Sequence, residues 1–250
     1  MAAIPAGEAD AAAGGQADAG LALPRRPWPR LVIFDCDGVL VDSEVLSIRE
    51  AAAALRREGL MLDEPVVQQR FLGTSLATLV AAAEAELGRA LSAGFAARLT
   101  AATLAAFERE MKPIAGVAEV VPALGAAVCV ASSGTPERIR RSLEIAGLLP
   151  LFEPQIYSAT MVARGKPDPD LFLHVAQSLG VRAADCLVVE DSVFGVAAAR
   201  RAGMTVFGFT GGTHLAGTDQ AERLARAGAQ LVFADMRQLP ALIAAEPGPG

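Results

Sequence analysis

An α/β fold, with a parallel sheet interrupted after its first strand by a block of helices, is what this sequence predicts. Three observations carry that prediction. A short apolar run opens the ordered part and stops at Asp35; the stretch 44–112 shows helix-type spacing; beyond it, apolar runs alternate with helical segments. Uniformly apolar strands separated by helices indicate a parallel sheet covered on both faces.

Taken in chain order, residues 1–29 are rich in Ala and Gly and lack periodicity, so they read as a disordered tail. The stretch 23–30, with three prolines, reads as a stiff lead-in rather than a docking peptide. The first strand is expected over 30–34. Helices are expected over 44–57, 76–87 and 92–111, with no strand signal between them. Further strands are expected over 126–131, 155–158, 185–190 and 205–209, separated by helices at 136–146, 169–180 and 193–202. The predicted domains are therefore a core built from 30–43 and 113–250, and a helical cap, 44–112, inserted into it. Hinges are expected near 41–43 and 111–113.

Composition narrows the function. With 250 residues and 52% hydrophobic content there is ample material for a core. A net charge of −6 argues against a general nucleic-acid binder, which needs a basic face. It leaves an anionic substrate open, because a local metal ion and a lysine can invert the field inside one cleft. No apolar run is long enough to span a bilayer, and the N-terminus lacks the charge and hydrophobic pattern of a secretory signal. Cys36, Cys129 and Cys186 show no CxxC spacing and sit in or beside apolar runs. They read as packing residues, which points to a cytoplasmic compartment. A monomer suffices for such an acidic chain.

In open parallel sheets ligands bind beyond the carboxyl ends of the strands. Four such ends or nearby loops carry polar groups here: Asp35 and Asp37, Ser132 and Ser133, Lys166, and Glu190 with Asp191. A carboxylate is ionised at neutral pH and can attack phosphorus without an activating base. Its difficulty is the negative charge of the phosphate, which something cationic must screen. Mg²⁺, which prefers oxygen ligands, fits Asp35, Glu190 and Asp191. Lys166 adds a fixed positive charge, and Ser132 with backbone N–H groups can hold the phosphoryl oxygens. Asp37, two residues after Asp35, can protonate the leaving alkoxide and then deprotonate water. Gly38 permits the sharp turn that brings both carboxylates to one centre. Each piece has an ordinary structural reading. Ser132 can cap a helix, Lys166 can be a turn lysine and Glu190-Asp191 a capping pair; the four together, each after a buried strand, favour a site. An EF-hand is excluded because Gly38 falls at the wrong loop position after an apolar strand.

With these motifs the chain resembles the haloacid dehalogenase superfamily of hydrolases, in the subgroup with a helical cap between the first and second motifs. The resemblance rests on Asp35 to Glu44, Val130 to Ser133, Gly165 to Pro169 and Val188 to Gly195, and covers 31 to about 212. It implies a Rossmann-like core, Mg²⁺, an aspartyl-phosphate intermediate at Asp35, acid–base work by Asp37, and a metal shell that includes the Asp37 backbone carbonyl. The Asp42-Ser43-Glu44 continuation and Arg70 to Gly73 resemble sugar-phosphate phosphatases, the 6-phosphogluconate type included. The β-phosphoglucomutases share the core motifs. They carry a histidine where this chain has Ser47 and an arginine where it has Leu76. Both departures favour a phosphatase of a small phosphorylated metabolite over a mutase. A dehalogenase has no use for Asp37. A phosphonate hydrolase needs a cap lysine, and Lys112 lies at the hinge. A non-catalytic binding protein of this fold would be expected to have lost a core acid or Lys166, and none is missing.

Substrate selection is expected from the cap, with Arg49, Arg70 and Ser75 as candidates, and from Arg164 beside Lys166. His174 reads as a packing or surface residue in a helix. His214, in a loop after a strand, has a route to the cleft.

Overall fold

The computed structural model describes residues 28–72, 74–246 and 248; the expected tail, apart from 28 and 29, and Gly73 of the cap motif lie outside the described residues. Strand β1 (Leu31–Phe34) is buried along its whole length, as four consecutive large apolar residues require. Four helices follow: α1 (Glu44–Arg57), α2 (Glu64–Phe71), α3 (Leu76–Leu87) and α4 (Phe95–Glu110). The chain then passes through α5 (Val117–Val120), β2 (Ala127–Ser132), α6 (Pro136–Ile145), α7 (Leu149–Phe152) and β3 (Ile156–Ser158). It ends with α8 (Asp170–Ser178), β4 (Cys186–Glu190), α9 (Val193–Arg201), β5 (Thr205–Phe209), α10 (Gln220–Ala227), β6 (Leu231–Phe233) and α11 (Leu239–Ala245).

The strands form one parallel sheet in the order β3-β2-β1-β4-β5-β6. The chain builds outward from β1 through β2 to β3, then returns to place β4 on the other side of β1. That reversal is the switch point at which open α/β sheets leave a crevice beyond their strand ends. Alternate residues of β1 serve opposite faces. Val32 and Phe34 join the apolar cluster under α5, α7 and α11, whereas Leu31 and Ile33 join the cluster under α8 and α9. The sheet is therefore an α/β layer covered on both sides, as the apolar strands require.

The helical insert has its own small core, built from residues such as Leu55, Val67, Leu79 and Leu99. Its base is shared with the sheet: Leu46, Phe107 and Met111 pack in the same cluster as Phe34. The two connecting segments also pair with each other, Asp42 N–H donating to Lys112 O at 2.9 Å and Ile114 N–H to Leu40 O at 2.9 Å. A short antiparallel bridge joins Val41 and Pro113.

Several elements differ from expectation for identifiable reasons. Helix α2 was not expected, because Val67 is its one buried residue and leaves no apolar period to read. Helix α4 starts at Phe95 rather than at 92, because Gly94 takes a left-handed conformation with φ 76°. Strand β6 is three residues at the sheet edge, too short to stand out from its surroundings.

Phe107 links insert and sheet, so Phe107→Ala should cost about 3–5 kcal/mol of stability. The exposed Val66→Ala should stay within about 0.5 kcal/mol. Denaturant midpoints of the two variants measure the difference.

Candidate active site

The residues at the β1 and β4 strand ends converge because the two strands are neighbours in register, Phe34 opposite Val189. Asp35 and Glu190 each stand next beyond that pair. Ligand oxygens of Asp35, Glu190 and Asp191 all lie within 4.8 Å of one another, and all three residues are buried. Lys166 reaches this group from the loop before α8. Its Nζ donates to Asp35 Oδ1 at 2.7 Å, to Glu190 Oε1 at 2.5 Å and to the Ala131 carbonyl at 3.0 Å.

Two glycines make the space. A Cβ at Gly195 would lie 1.8 Å from Glu190 Oε1, and one at Gly38 would lie 2.0 Å from Asp191 Oδ2. Gly38 also has φ 79°, a conformation that a side chain strains. Ser192 secures Glu190 through both its N–H and its hydroxyl, each 2.9 Å from Oε2, while capping α9.

Three buried carboxyl groups and one lysine leave an excess of negative charge in a poorly solvated site. Burial, reinforced by Glu190 and Asp191, pushes the Asp35 carboxyl well above its ordinary value against the pull of Lys166. Burial and Glu190 do the same to Asp191. Burial works against the charge on Lys166, yet Asp35 and Glu190 outweigh it and hold the ammonium protonated. The neighbouring carboxyls and burial thus oppose the charge on Asp35. A divalent cation with oxygen ligands fits this set, because it supplies the missing positive charge to groups already gathered around one point.

Asp37 lies on the other side of the turn. Its Oδ1 accepts from Ser43 Oγ at 2.5 Å and from Arg138 Nη2 at 3.3 Å. Ser43 thus gives its hydroxyl to Asp37 rather than to the N-terminus of α1. Arg138, which sequence reasoning missed, stacks its guanidinium 5.6 Å from the Phe107 ring centroid. Glu44, which ends the first motif, is pushed up to about 8 by burial and the Asp37 charge. Arg138 has no signal in the linear sequence beyond its place near a strand-end motif.

Asp35, Asp37, Glu44, Arg138, Lys166, Glu190 and Asp191 line a cavity of about 450 Å³ between the strand ends and the insert. Ser132 is buried with its Oγ accepting from Gly134 N at 3.2 Å, and the exposed Ser133 follows it at the cavity rim. Ser75 lines the cavity while capping α3. Arg49 and Arg70 do not reach it. Arg49 is paired to Glu110 at 2.8 Å and Arg70 to Glu86 at 2.7 Å, outside the lining. Arg164 is paired with Asp170 at 2.9 Å, and His174 packs edge-on to Tyr157. His214 is buried beside the carboxylate group, Nε2 standing 3.3 Å from Asp191 Oδ2, and burial lowers its pKa against the pull of Glu44 and Asp42. The three cysteines are buried and unpaired.

Relief of this charge imbalance should be measurable. Millimolar Mg²⁺ should raise the thermal midpoint by several degrees, since a ligand at a hundredfold excess over its Kd contributes about 2.7 kcal/mol. Cation binding must displace protons from the raised carboxyls, so the same addition should give a smaller shift at pH 5.5 than at pH 7.5. Glu190→Ala should lose most of the shift. Differential scanning calorimetry reads all three results.

Comparison with known proteins places this geometry in a family. The model of haloacid dehalogenase-like hydrolases matches residues 29–203. The 6-phosphogluconate phosphatase of Escherichia coli (strain K12) is 34% identical over 184 residues, 73% of this chain and 83% of that protein. A solved haloacid dehalogenase-like protein from Agrobacterium tumefaciens str. C58 is 40% identical with a TM-score of 0.76, over 86% of this chain and 98% of that one. A hydrolase of the same family from Deinococcus radiodurans R1, solved with bound phosphate and sodium, is 33% identical with a TM-score of 0.69, over 86% and 95% of the two chains. With its motifs, fold and site in agreement, this chain belongs to the haloacid dehalogenase-like hydrolases.

Proposed function

We propose that the protein is a Mg²⁺-dependent phosphatase that hydrolyses a small phosphorylated metabolite, a sugar phosphate or similar ester, through an aspartyl-phosphate intermediate on Asp35. The single observation that carries the reading is the buried group Asp35, Glu190 and Asp191 tied to Lys166 beneath one cavity. Such a group suits a phosphoryl oxygen and a divalent cation and has no other evident use.

In this reading Asp35 Oδ attacks phosphorus while the ester P–O bond breaks, and Asp37 gives its proton to the departing alkoxide. Asp37 then takes a proton from water, whose oxygen attacks the same phosphorus. The bond to Asp35 breaks, the carboxylate is restored, and inorganic phosphate leaves. Asp35, Glu190, Asp191 and the Asp37 backbone carbonyl would hold a divalent cation, which would supply positive charge to offset the negative charge of the phosphoryl group. Lys166 holds one phosphoryl oxygen and keeps the Asp35 charge tolerable, while Ser132 and Ser133 hold the others. Arg138 and Ser43 hold Asp37 at the edge of the turn. The insert, 44–112, acts as a cap that excludes bulk water while the intermediate forms.

The mutase reading has less support. Ser47 and Leu76 both line the cavity, and neither gives it the imidazole or the guanidinium that a second phosphate calls for.

Asp35→Asn should lower phosphate release at least about a thousandfold, the scale seen when a nucleophile is removed. Its circular dichroism spectrum should be unchanged. Release at the wild-type rate by a folded Asp35→Asn protein would falsify the assignment.

A further inference from the structure

The charges around the cavity bear on which alcohols it accepts. Five carboxyl groups line it, those of Asp35, Asp37, Glu44, Glu190 and Asp191, against two cationic side chains, Lys166 and Arg138. Both cations are already engaged. Lys166 is shared by Asp35 and Glu190, and Arg138 contacts Asp37. Glu44 adds no positive charge in either protonation state. One divalent cation brings this inventory close to balance, and a phosphoryl group then turns it negative again. They leave no cation to meet a second anionic group on the substrate.

The part of the wall that the insert supplies is largely apolar, with Ile48, Val67, Leu76, Leu79 and Leu99 among its residues. The insert arginines Arg49 and Arg70 are held in ion pairs outside it. A carboxylate or second phosphate placed against this wall would lose its hydration and find no cation to pair with, which is costly. An uncharged alcohol has no such difficulty. The wall also offers it a polar contact, because Ser47 Oγ is buried and has no hydrogen-bond partner among the described residues. Buried hydroxyls normally find one.

We infer, on the basis of the phosphatase reading, that the cavity selects monophosphate esters of uncharged alcohols that carry apolar surface. It rejects esters with a second anionic group, phosphorylated sugar acids and bisphosphates included. A substrate hydroxyl completes the bonding of Ser47. The substrate after which the Escherichia coli relative is named falls outside this class, so the two proteins differ in specificity while sharing the reaction.

The test compares glucitol 6-phosphate with 6-phosphogluconate, which differ only in a hydroxymethyl group against a carboxylate. Binding of each to the Mg²⁺-loaded Asp35→Asn protein is measured by calorimetry, where no turnover intervenes. Glucitol 6-phosphate should bind at least about tenfold tighter, a difference of about 1.4 kcal/mol. Equal affinity, or preference for the acid, overturns the inference. Leu76 lines the cavity and is 36% exposed, so it tolerates a charge. Leu76→Arg in the same background should narrow the ratio at least about fivefold by giving the carboxylate a partner. An unchanged ratio would overturn the assignment of selectivity to this wall. Phosphate release by the wild-type protein from the same two esters is scored separately. A retained binding preference without release would sink the phosphatase reading and leave the charge selectivity standing.

Discussion

Three buried carboxyl groups held around one lysine form the constraint on which the rest of the site depends. Asp35, Glu190 and Asp191 would repel one another in any compact arrangement, and burial magnifies the repulsion by removing water. The fold maintains the cluster because β1 and β4 are adjacent at the switch point, and two glycines leave room for the side chains. Lys166 offsets part of the charge from the third loop. The remaining negative charge is what suits the cluster to a divalent cation. It also opposes a second anion in the same cavity.

The insert is tied to this centre through its connections rather than through one broad contact. Ser43, at the entry to α1, hydrogen-bonds Asp37, and Asp42 accepts from both the N–H and the hydroxyl of Thr213. Gln68 on α2 donates to the His214 carbonyl at 2.6 Å, next to the imidazole that stands against Asp191. Arg138 joins Asp37 to the face of Phe107 on α4. A movement of the insert would therefore be felt at Asp37 and at the loop behind the carboxylate cluster.

Much of this was legible in the sequence, for physical reasons that also explain what was not. Strands buried on both faces are uniformly apolar, so β1, β2, β4 and β5 stand out, and the polar residues at their ends stand out with them. Helix α2 and strand β6 bury too little to leave a pattern. Arg138 becomes important only through contacts across the fold, which no spacing reveals. Arg49 and Arg70 show the converse error: a basic residue in the insert looks available until Glu110 and Glu86 are found beside it.

The claim that Asp35 carries the phosphoryl group can be tested most directly by trapping it. The wild-type protein and Mg²⁺ would be mixed with a turned-over ester labelled at phosphorus, quenched in acid within milliseconds, digested and analysed by mass spectrometry. The account predicts label on the peptide that contains Asp35, and its loss when the quench is delayed past turnover. Label on a different residue, at a time when phosphate is being released, would contradict it.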